Sequence, residues 1–83
     1  MYKELALKYI KNLTPKNIDD YAKGKGVTLS NEEINIIFNF ILQYYEDILN
    51  KNTKIFNKLK PKVSNDLYNK IISLYEENKN KYL

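Results

Sequence analysis

Lys51, Lys54, Lys58, Lys60 and Lys62 form the densest group of chemically capable side chains in this chain of 83 residues, and no acid falls among them. Clustered ammonium groups attract phosphate oxygens, and such contacts weaken with salt because they work by releasing counterions. Arg makes the bidentate contacts to guanine and phosphate, and the chain has none. Aromatic interleaving within the segment is limited to Phe56. The chemistry to expect here is weak, largely electrostatic nucleic-acid binding through residues 51–62. A solvated loop in a lysine-biased composition is the plainer reading, since all 14 basic residues are Lys and Asn is abundant. A net charge of +4 is mild and alone says little about nucleic acid.

The carboxylates offer less. Four doublets occur, Asp19-Asp20, Glu32-Glu33, Glu46-Asp47 and Glu76-Glu77. Adjacent helix positions do not face each other, so no doublet alone chelates an ion. Asp19–Glu33 lacks the spacing of a calcium loop. With neither His nor Cys, zinc sites of nitrogen and sulfur ligands are excluded, as is nucleophile chemistry that relies on His. Ser30 and Ser64 sit at helix starts, where a hydroxyl serves as a cap. No catalytic residue, cofactor or metal is expected, and the chain reads as a non-enzyme.

The elements that carry these residues follow helical spacing throughout. Tyr2, Leu5, Ala6, Tyr9, Ile10 and Leu13 form one stripe, with Leu7 off it. Thr14 and Pro15 start a second helix that Gly24 or Gly26 ends. Tyr21 belongs to its inward face. Ser30 and Glu33 form a capping box for a third helix running to about Asn50. Its apolar arc includes Ile34, Ile37, Phe38, Ile41, Leu42, Tyr44, Tyr45, Ile48 and Leu49, while Ile36 and Phe40 lie outside it. Ile55, Phe56 and Leu59 suit a short helix ended by Pro61. Ser64 caps the last helix, in which Leu67, Ile71, Leu74, Tyr75 and Asn78 share a face.

The length allows a single helical domain over residues 1–83. The expected fold is all-α, a compact bundle of four to five short helices around a central helix at about 31–50. Lys3, Glu4, Lys8 and Lys11 rule out a secretory apolar core in Tyr2–Leu13. Polar residues break Ile34–Leu49, so no membrane contact is expected and the location reads as cytoplasmic.

Thr14, Ile18, Tyr21-Ala22, Val27 and Leu29-Ser30, followed by an apolar helix, resemble an uncharacterised family of small helical proteins from low-GC Gram-positive bacteria. The preceding helix is similar too, and the likeness loosens after Asn50. It implies a bacterial cytoplasmic helical protein and carries over no site residue.

Ala22 and Gly26 also suit a DNA-reading helix-turn-helix. Its next apolar positions fall on Glu32 and Asn35, and the link to Ser30 is too long. What remains is surplus apolar surface. Leu7, Ile36 and Phe40 are covered either by a neighbouring helix of the chain or by a partner. The first functional reading is therefore a non-catalytic protein-interaction module that binds a protein partner or itself, with Phe40 as anchor.

Overall fold

Hydroxyl side chains set three of the helix starts. The Asn17 N–H donates to Thr14 Oγ1 at 3.2 Å, and the Thr14 N–H donates back to Asn17 Oδ1 at 3.0 Å. The Glu33 N–H donates to Ser30 Oγ at 3.1 Å, and the Ser30 N–H to Glu33 Oε1 at 2.8 Å. Both are reciprocal capping boxes, each satisfying two otherwise orphaned donors. Ser64 accepts from the Leu67 N–H at 3.1 Å, and the leucine side chain has nothing to return.

The structure, a computed structural model, describes residues 2–82, with side chains described except at 2, 3, 6 and 78–82. The elements are α1 (Tyr2–Lys11), α2 (Pro15–Gly24), α3 (Asn31–Leu49), 3-10 helices at Thr53–Lys58 and Lys60–Lys62, and α4 (Asn65–Tyr82). No strand occurs among the described residues. The fold is the expected all-α bundle around a central helix, 33 × 25 × 21 Å in extent. No helix among the described residues is long and apolar enough to cross a membrane.

Two helices end in the same motif on different residues. The Val27 N–H bonds Ala22 O at 2.8 Å and the Gly26 N–H bonds Lys23 O at 3.0 Å. The Asn52 N–H bonds Asp47 O at 2.9 Å and the Lys51 N–H bonds Ile48 O at 3.2 Å. Both are Schellman caps, which need a left-handed residue after the helix. Gly26 meets that need at φ 77°, and Lys51 adopts φ 61° despite its Cβ. Lys51→Gly is therefore expected to stabilise the fold by about 0.5–1 kcal/mol, and Gly26→Ala to destabilise it by about 1 kcal/mol. Chemical denaturation midpoints check both, and a Lys51→Gly midpoint below the wild type would contradict the cap assignment.

The core has two parts, with α3 between them. Ile18 of α2, Ile34 and Ile37 of α3 and Leu67 of α4 form one part, flanked by Leu13, Val27, Leu29 and Phe38. Phe40 joins Ile55, Phe56 and Leu59 of the 3-10 segment in the other, flanked by Ile36, Tyr44, Ile48 and Tyr68. Val63 and Ile71 pack against both. Ile36, Phe40, Tyr44 and Ile48 recur every fourth residue, which is the spacing of a helix stripe. Tyr44 departs from helical geometry (φ −118°, ψ 20°) and kinks α3 on this stripe.

Three expectations are corrected. Phe40 is 7% exposed and sits inside the core, so it is not a surface anchor. Ile36 is half-buried beside it. Both lie off the first arc because the 3-10 segment folds back to cover a second face of α3. In α1 the inward face is rotated: Leu7 and Ile10 are half-buried, while Leu5 and Tyr9 are exposed. Tyr21 and Leu42, assigned to inward faces, are exposed too. The expectations for Tyr2, Ala6 and Asn78 fall on side chains outside those described.

Candidate nucleic-acid interface

The lysine-rich segment folds as a pair of 3-10 helices rather than one short α-helix, and Pro61 lies within the second of them. A 3-10 helix repeats every three residues, so its side chains eclipse at that interval. Phe56 and Leu59 share the inward row, at 4% and 0% exposure. Lys54, Asn57 and Lys60 share an outward row and are exposed. Lys51, Lys58 and Lys62 are exposed as well.

Rings from two other elements hold the segment in place. Phe40 and Phe56 stand 5.6 Å apart between centroids, and Phe56 meets Tyr75 of α4 edge-on at 5.0 Å. Phe40 also lies 5.1 Å from Tyr44. The ridge is therefore anchored from α3 on one side and α4 on the other. Two of its ammonium groups rest over tyrosines: Lys58 Nζ is 5.4 Å from the Tyr44 ring centre, and Lys60 Nζ is 5.7 Å from that of Tyr68. Cation–π attraction holds such groups against ring faces. Tyr44 and Tyr68 are half-buried, so part of each ring meets solvent. Sequence reasoning found Phe56 as the segment's aromatic and missed these two. They come from α3 and α4, and no local spacing links them to the lysines.

Charge is distributed unevenly. Outside residues 51–62, nine lysines face ten acids, so this segment carries all of the excess positive charge. Outside the segment three lysines pair with acids: Lys16 Nζ is 2.8 Å from Asp20, Lys23 Nζ is 3.0 Å from Asp19, and Lys25 Nζ is 2.8 Å from Glu77. Its hydrogen bond to Asp20 raises the Lys16 pKa above the ordinary lysine value, and the same bond lowers that of Asp20. None of the five segment lysines has an ion-pair partner among the described residues. All five are exposed to solvent.

Beside the ridge lies a shallow depression of about 360 Å³, lined by Thr53, Phe56, Tyr68, Asn69, Ile72, Tyr75 and Glu76. The structure does not bring Leu7, Ile36 and Phe40 together as a surface. Ile36 and Phe40 pack under the 3-10 helices, and Leu7 is half-buried on α1. Among the described residues no group of three or more carboxylates could hold a metal ion. The chain between α2 and α3 runs from Lys25 to Ser30, longer than the three or four residues of a helix-turn-helix. Compared with known proteins, the chain matches no family model, no curated protein and no solved structure.

Proposed function

We propose that this chain binds single-stranded nucleic acid through Lys51, Lys54, Lys58, Lys60 and Lys62, without sequence preference and without catalysis. The observation that carries the reading is the placement of all excess charge on one exposed, acid-free ridge anchored in the core. Phosphate contacts supply most of the affinity in sequence-independent binding. Half-buried Tyr44 and Tyr68 beside the lysines favour single strands, whose unstacked bases find aromatic faces. Duplex reading through a groove has less support. It uses an inserted helix or ribbon and base-edge donors such as Arg, and the ridge is a pair of short 3-10 helices.

Fluorescence polarisation with labelled single-stranded RNA, single-stranded DNA, duplex DNA and polyglutamate tests the proposal. The expected order at low salt places both single strands above the duplex and polyglutamate last. Polyglutamate bound as tightly as RNA would overturn it in favour of an acidic protein partner. No binding of any strand at low salt would also overturn it.

A further inference from the structure

The depression beside the ridge lies between two rows of side chains. Thr53 and Phe56 are three residues apart and share a row of the first 3-10 helix. Tyr68, Ile72 and Tyr75 recur at i, i+4 and i+7 and share a face of α4. Phe56 meets Tyr75 edge-on at 5.0 Å and joins the two rows with apolar surface. Tyr68, Ile72 and Tyr75 are half-buried, so each leaves part of its side chain in the depression. Thr53, Asn69 and Glu76 are exposed and supply its polar lining.

No lysine lines the depression, and its one charged group is the Glu76 carboxylate. A phosphate meets no cation inside it. The cation stands next to it: Lys60 Nζ is 5.7 Å from the centre of the Tyr68 ring, and Tyr68 is part of the lining. One ring therefore borders both a phosphate-attracting ammonium and an apolar hollow with polar edges. A nucleotide has the same order, an anion and, one sugar away, a flat neutral ring with polar edges.

We infer that the depression seats one base of the bound strand, with the phosphate of that nucleotide on Lys60. This rests on the single-strand reading above and adds to it the place where a base leaves the stack. The volume of about 360 Å³ lies at the lower end for small-ligand sites, which begin at about 300 Å³, so it suits one base rather than a stack of several. The Thr53 hydroxyl and the Asn69 amide each donate and accept, so they can meet the edge of any base. The seat is accordingly tolerant of sequence, as the ridge is.

Single-stranded DNA and an abasic strand of the same length carry the same phosphates and differ in the bases. Both would be titrated at low salt into the chain labelled with ¹³C at isoleucine methyls. The base-bearing strand is expected to bind about tenfold more tightly, within the usual worth of one base on an aromatic surface. The Ile72 methyl resonances are expected to shift with that strand and to stay in place with the abasic one. Ile18, in the other part of the core, is expected to be unmoved by either. In Tyr68→Leu the two strands are expected to bind within about twofold of each other, and comparing them on one variant cancels any loss of fold. Equal wild-type affinities overturn the inference and leave the ridge standing. So does a bound base-bearing strand that leaves Ile72 unmoved, or an undiminished preference in Tyr68→Leu. Binding of neither strand overturns the ridge as well.

Discussion

Leu59→Ala is expected to destabilise the chain by about 3 kcal/mol, in the middle of the range for leucine truncation in a packed core. Leu59 is the fully buried large side chain among the described residues, at 0% exposure. It lies where the 3-10 segment meets α3, in the cluster of Phe40, Ile55 and Phe56. The aromatic rings around it are rigid and fill space poorly once a neighbour is removed, so the cavity collapses little. A small domain has a total stability of only about 5–10 kcal/mol, and a loss of this size takes a large share of it. The midpoint of thermal unfolding is expected to fall by about 15 °C, from the usual shift of about 4–8 °C per kcal/mol at this size. Circular dichroism melts measure it directly. A fall of less than about 3 °C would mean that the 3-10 segment is not held by this core.

The second large effect concerns binding and leaves the fold in place. Lys54, Lys58, Lys60 and Lys62 are exposed and make no ion pair among the described residues, and exposed substitutions usually change stability by less than about 0.5 kcal/mol each. Replacing all four with Gln is expected to lower single-strand affinity on the order of 10²-fold at low salt, as four phosphate contacts are lost. The variant loses four of the 14 lysines, so it needs a control for net charge alone. Lys11→Gln, Lys16→Gln, Lys23→Gln and Lys70→Gln together serve, since they remove the same four charges and lie outside the ridge. That control is expected to bind within a few-fold of the wild type. Equal losses in both variants would show that the position of the charge does not matter.

How much of this was legible in the sequence depends on the range of the interactions. Thr14, Ser30 and Ser64 were legible as caps, because a cap is made within three residues of itself. A glycine end to α2 was legible for the same reason, since glycine advertises a left-handed residue, but Gly24 and Gly26 both offered one and the structure selects Gly26. The matching turn at Lys51 was not, because lysine carries no such signal and the packing that follows imposes the conformation. α1 carries two overlapping apolar stripes, Leu5 with Tyr9 and Leu7 with Ile10. Periodicity cannot choose between them, and contact with α3 and α4 turns the second inward. Ile36 and Phe40 were correctly placed off the first arc of α3. Their cover is the 3-10 segment, which reaches them by a chain reversal that no local pattern records. The lysine run was plain from the start. Its two tyrosines were not, since Tyr44 and Tyr68 join it only through tertiary packing.

The central claim is that the ridge meets phosphates, and the salt dependence of binding tests it most directly. Affinity for a labelled single-stranded RNA would be measured from about 20 to 200 mM salt, for the wild type and for the four-lysine Gln variant. Each phosphate contact to a single strand adds about −0.7 to the slope of log K against log salt. Five contacts give an expected wild-type slope of about −3.5, and the variant, which keeps Lys51, a slope of about −0.7. A wild-type slope near zero, or a variant slope as steep as the wild type, would contradict it.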